Sequence, residues 1–125
     1  MITTHKELVV WQMSMDLAVD VYCITKNFPK SEEFGLTSQM RRAVVSIPSN
    51  IAEGYGRGSR NELRHFLEVS SGSASELETQ LLICQRVGLE KSDVIDELCD
   101  RVKKILKMLS SLISRCKEGV DYKQK

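Results

Sequence analysis

Residues 92–117 read SDVIDELCDRVKKILKMLSSLISRCK, and their apolar positions Ile95, Leu98, Val102, Ile105, Leu109, Leu112 and Cys116 alternate steps of three and four over three heptads. That spacing returns a side chain to one side of an α-helix on every turn, whereas a strand would alternate at every second residue. Cys99, Leu106 and Ile113 widen the stripe into the broad face of a bundle helix, not the narrow seam of a two-stranded coil. Ser92 stands where a helix cap belongs. The stretch therefore predicts a helix whose wide apolar face only other helices can cover.

Working upstream, Gly88 ends a second periodic segment that begins at Ser59, where Ser59 and Glu62 have the spacing of a capping box. Its inner positions are Leu63, Phe66, Leu67, Ser70, Ala74, Leu77, Leu81 and Cys84, and the small residues from Ser70 to Ser75 let a neighbouring backbone come close. Gly54-Tyr55-Gly56-Arg57-Gly58 separates this segment from a third, capped by Thr37, with Leu36, Met40, Val44, Ile47 and Ile51 facing inward. Pro48 lies inside that pattern and predicts a kink between Val44 and Pro48 instead of a break. The turn-forming stretch from Pro29 to Gly35 precedes it. Before that turn, Val10, Met13, Leu17, Val21, Ile24 and Phe28 share one helix face, leaving Gln12, Asp16 and Asp20 for water. No segment has the period of a half-buried strand, and the connections are short. The expected fold is all-α: an antiparallel up-and-down four-helix bundle in a single domain over 1–125, with helices at about 8–28, 37–55, 60–87 and 92–117.

Composition agrees with such a chain and excludes several classes. With 125 residues, 42% hydrophobic and 28% charged, and only 2 Pro, it suits one soluble domain with one core. No apolar run reaches the length of a membrane span, and the start of the chain lacks the pattern of a signal peptide, so a cytoplasmic protein is expected. Cys23, Cys84, Cys99 and Cys116 show neither a C-x-x-C pair nor a disulfide framework and read as free thiols, three of them on apolar helix positions. Basic and acidic residues number 18 and 17, a net charge of +1, but they are unevenly distributed. Residues 68–100 are strongly acidic and 101–125 strongly basic, which predicts either helices that neutralise one another or separate charged surfaces.

Catalytic chemistry finds little support. Glu62-x-x-His65 matches half of a di-iron motif, but the only other histidine, His5, lies in the N-terminal flank without a matching Glu. The same two histidines offer no base for a Cys or Ser nucleophile, and the glycines 54, 56 and 58 lack the strand and Gly-Lys-Ser/Thr of a phosphate loop. No catalytic residue, metal or cofactor is expected. Arg57, Arg60 and Arg64 gather instead at a helix N-terminus, which already favours an anion, while Lys104 and Lys107 with Arg41 and Arg42 supply a second cationic set. With one Trp, three Tyr and three Phe, contact with nucleic acid should be to phosphate and tolerant of sequence. Solvated arginines answering the acidic stretch are the plainer reading. Two further apolar stripes, Trp11, Met15, Ala18, Tyr22 and Val45, Pro48, Ala52, exceed what one core needs and predict an interface between copies of the chain.

Residues 36–54, from Leu36-Thr37-Ser38-Gln39-Met40-Arg41-Arg42 through Pro48-Ser49-Asn50-Ile51-Ala52-Glu53-Gly54, followed by Gly56-Arg57, closely resemble the signature of a bacterial four-helix-bundle family. That family is named for proteins encoded in 23S rRNA intervening sequences. Trp11-Gln12, Asn27-Phe28-Pro29, Phe66-Leu67 and Gly72-Ser73-x-x-Glu76-Leu77-Glu78 extend the likeness over residues 8 to about 89. The resemblance implies a non-enzymatic, intracellular bundle assembled as a ring-like homopentamer. Its relatives include the accessory protein of diversity-generating retroelements, a basic protein that binds nucleic acid and a reverse transcriptase. This chain departs from that relative in being nearly neutral, and has Met13-Ser14 where the family often has Lys-Ala. Two functions are thus expected to compete: a self-associating scaffold that holds RNA or DNA, and one that engages only protein.

Overall fold

The Glu62 backbone N–H donates to the Ser59 Oγ at 3.1 Å, and at the far end Gly88, at φ +77°, lets the Leu89 N–H turn back to the Cys84 carbonyl at 3.0 Å. Between this capping box and this left-handed stop runs α3, Arg60–Val87. The computed structural model describes residues 4–119. It contains α1 (Val9–Thr25), α2 (Leu36–Gly56), α3 and α4 (Ser92–Glu118), with one-turn 3-10 helices at His5–Glu7 and Lys30–Glu32 and no strand among the described residues.

The four helices form a bundle in which α1 and α3 each pack against α2 and α4. Its antiparallel course follows from particular pairs. Met40 meets Cys84, Ser46 meets Ser73 and Ile47 meets Ser70, so α2 descends as α3 climbs. Gln85 at the end of α3 donates to Ser92 and Asp96 at the start of α4, and Arg101 of α4 reaches Asp20 of α1 at 2.6 Å. Leu17, Val21, Met40, Ile47, Ile51, Leu63, Leu67, Leu77, Leu81, Ile95, Ile105 and Leu109 fill the centre.

Several local expectations are corrected. Thr37 is not a cap: Gly35 precedes the helix, and Thr37 sits in the first turn of α2 with its Oγ1 buried and without a hydrogen-bond partner among the described residues. Ser92 is the first residue of α4, after Lys91, and its Oγ accepts from the Gln85 side chain at 2.8 Å. α1 stops at Thr25, short of residue 28, because the Asn27 and Phe28 N–H groups turn to the carbonyls three residues back and tighten the chain ahead of Pro29. The helix also rotates slightly from its apolar count. Ser14 and Thr25 join Val10, Leu17 and Val21 in the buried stripe, while Met13 and Ile24 are half-buried. Both hydroxyls are satisfied by their own helix, at the Trp11 and Val21 carbonyls.

α2 ends at Gly56, next to the expected bound of about 55, and Gly54 lies within it. It is buried where α3 passes, and a Cβ added there would lie 3.0 Å from Leu63 Cδ1 and 3.1 Å from Phe66 Cβ. The turn is made by Gly58, at φ +83°. Pro48 sits within unbroken α2, and the two carbonyls ahead of it take extra donors, Asn50 Nδ2 to Ser46 at 2.8 Å and Ser70 Oγ to Ile47 at 2.9 Å. α4 runs to Glu118, one residue beyond the expected bound, and residues 1–3 and 120–125 lie outside the described residues.

Candidate functional site

Because α1 and α2 lie side by side, their outward apolar residues fall on adjoining faces. Met15, Tyr22 and Val45 are exposed, and Trp11, Ala18 and Ala52 are half-buried. Pro48 differs from the expectation: it is buried in the chain's own core side of α2, among Val44, Ile47 and Ile51, and is not offered outward. Two residues join the face that the reading of stripes passed over. Val19, 60% exposed, stands four residues after Met15 and three before Tyr22, so helical spacing carried the signal. Phe34, 91% exposed, lies in the turn before α2, where no periodicity exists to find it.

The seven cations anticipated as phosphate contacts do not form one patch. Arg57 is held by Glu53 at 2.8 Å and Glu62 at 3.5 Å, with its guanidinium 5.0 Å from the Phe66 ring centre. Arg64 pairs with Glu68 at 3.3 Å. Glu53 thus answers Arg57, four residues on. Arg60, Lys104 and Lys107 are exposed and form no ion pair with any described residue. Arg41 and Arg42 stand apart, at the corner between α1 and α2: Arg41 Nε donates to Thr25 Oγ1 at 2.9 Å and its guanidinium lies 4.6 Å from the Tyr22 ring centre.

Antiparallel packing of α3 on α4 decides between the two readings of the charge blocks. The start of α3 meets the end of α4, so Arg60 lies beside Gly119 and, with Arg64, acts on Cys116. The end of α3 meets the start of α4, where Glu90 joins Glu32 near Cys84 and Asp96 accepts from Gln85. Within the α3–α4 pair the charge is therefore positive where α3 starts and α4 ends and negative where α3 ends and α4 starts, while Lys26, Lys30, Arg41 and Arg42 gather at that second end around the head of α2.

Reactive groups are few. His65 is exposed and edge-on to Phe66, and His5 is edge-on to Trp11, its protonation pushed down by burial and by Lys6. Burial, aided by Glu32 and Glu90, pushes the Cys84 thiol up to about 11, and its Sγ lies 3.4 Å from Met40 Sδ. Cys99 and Cys116 are also buried with their thiols pushed up by burial, and Cys23 is exposed. All four are free. Among the described residues no three His, Cys, Asp or Glu side chains come together as a metal would require, and Glu62 is engaged with Ser59 and Arg57. No helix of the described residues is long and apolar enough to cross a membrane.

This bundle has a counterpart among solved structures. A protein of unknown function from the S23 ribosomal protein family of Bacteroides thetaiotaomicron, known from a crystal structure, superposes with a TM-score of 0.76 at 27% identity, over 84% of this chain and 98% of that one. No curated protein matches the chain. The family model described as 23S rRNA-intervening sequence protein matches residues 6–111, taking in α1, α2, α3 and most of α4. The likeness carried by residues 36–54 is thereby placed on the whole bundle, and the chain belongs to the family of 23S rRNA-intervening sequence proteins.

Proposed function

We propose that the protein is a non-enzymatic cytoplasmic scaffold that associates with copies of itself and holds RNA or DNA phosphate through exposed cations of α3 and α4. The observation that carries the reading is the α1–α2 face: the core is closed without Met15, Val19, Tyr22 and Val45, yet all four are exposed on neighbouring faces. Association would cover them. Nucleic-acid binding is supported by Arg60, where α3 starts, and by Lys104 and Lys107, midway along α4, all three exposed and without an ion pair among the described residues, whereas glutamates hold Arg57 and Arg64. One chain at +1 attracts a polyanion weakly, whereas several copies of the same cations add their fields. A nucleic-acid enzyme such as a reverse transcriptase is the protein partner that fits the family resemblance.

A titration of the assembled protein with labelled RNA and DNA at two salt concentrations tests this. The affinity should fall log-linearly with salt for unrelated sequences alike, and Arg60→Glu with Lys104→Glu should weaken all of them. Absence of binding at both salts would leave a scaffold that engages protein only.

A further inference from the structure

α3 carries apolar residues of its own that the bundle leaves uncovered. Val69, Ile83 and Val87 are 38%, 45% and 63% exposed, and the core closes without them. Two heptads separate the first pair and four residues the second, a spacing that returns all three to one stripe of the helix. Leu82, also exposed, lies off this stripe. Ser73 and Glu76 fall on it, and Ser73 meets Ser46 of α2 at 2.8 Å, so the stripe runs beside the groove where α3 lies against α2. That groove, of about 410 Å³, has small side chains in Ala43, Ser46 and Ser73, with Arg42 and Glu76 among its lining.

α2 packs against both α1 and α3, which stand diagonally across the bundle. The α1–α2 side, with Met15, Val19, Tyr22 and Val45, and the α2–α3 side are therefore neighbouring sides that share α2 as their edge. Their charges are opposite. Lys26 and Arg41 border the first, where Glu33 is the only carboxylate lining the clefts. Glu76 stands on the second and forms no ion pair with any described residue. Arg42, on the shared edge, lines a cleft on each. Two copies that paired the α1–α2 side with itself would gather the cations of both around one patch and leave the α3 stripe wet. Pairing one side with the other covers both apolar sets at once and sets cations against a carboxylate.

We propose that the α1–α2 side of one copy seats on the α2–α3 side of the next, with Met15, Val19, Tyr22 and Val45 covering Val69, Ile83 and Val87, and with Lys26 and Arg41 set toward Glu76. The inference rests on the self-association reading and names the second surface that association uses. Such a contact is heterologous: each copy gives one side and receives on the other, so two copies join through a single intact pair of sides.

Light scattering on the full chain with two double variants tests this. Tyr22→Glu with Val45→Glu spoils the giving side, and Ile83→Glu with Val87→Glu the receiving side. All four residues are exposed, so both variants should keep the Tm of the isolated bundle. Each alone should run at the 14.2 kDa of one chain. An equimolar mixture should form a dimer of twice that mass, because one variant retains the receiving side and the other the giving side. Val69→Glu, farther along the stripe, should also lower the mass, and Glu76→Lys should weaken assembly about tenfold at low salt and less at high salt. An assembly that survives Ile83→Glu with Val87→Glu, or a mixture that stays monomeric, would overturn the proposal and leave the scaffold reading in place. A monomeric unaltered protein would overturn both.

Discussion

At the scale of single residues, burial and local pairing decide what each group can do. Cys84 shows this most clearly: its thiol is held up to about 11 by burial and two glutamates, so the fold favours the protonated form. An acid raised in the folded state stabilises the fold below its ordinary value and loses that contribution as pH climbs. Conformational stability should therefore decline from pH 9.0 toward about 11, as a series of denaturant melts would read. In the native protein a mildly alkaline alkylation should label Cys23 alone, and mass spectrometry should find one adduct until the bundle opens. The pairing of Arg57 and Arg64 was passed over when both were read as phosphate contacts, although Glu53–Arg57 and Arg64–Glu68 have the i,i+4 spacing of surface helix pairs. The buried Ser14 and Thr25 were not, because a hydroxyl that bonds its own helix counts as polar in the sequence and behaves as filling in the core.

At the scale of elements, the heptad pattern of α4 translated directly: Ile95, Leu98, Val102, Ile105, Leu109 and Cys116 are buried and Leu112 half-buried. Helix ends translated less well. Thr37 looked like a cap, but a cap depends on backbone angles before the helix, and Gly54, in the stretch expected to separate two helices, is helical and buried against α3. Gly54→Ala should cost about 1–3 kcal/mol, because Leu63 and Phe66 of α3 leave no room for a Cβ. Gly56→Ala, which meets nothing within 4 Å, should be neutral or stabilise by about 0.5–1 kcal/mol. Chemical denaturation of the two variants separates packing from propensity. The seam between α1 and α4 is the lightest in the bundle, and Arg101–Asp20 is the ion pair that crosses it. Arg101→Met should cost no more than about 1 kcal/mol overall and speed amide exchange in α1 before α2 or α3.

At the scale of the whole molecule, the chain builds a closed core and still presents an apolar face on α1 and α2, together with an α3–α4 pair that is basic at one end and acidic at the other. The sequence announced the charge blocks but not their arrangement, since only the antiparallel pairing of α3 with α4 brings like to like. It announced surplus apolar stripes as well, though Pro48 proved to belong to the core and Val19 and Phe34 to the surface. A scaffold that covers this face in solution is the central claim, and light scattering at micromolar concentration tests it most directly. The account predicts an assembly several times the 14.2 kDa of one chain, about 70 kDa for the ring of five that the family resemblance implies, and Tyr22→Glu with Val45→Glu should dissociate it. A mass of 14.2 kDa for the unaltered protein would contradict it.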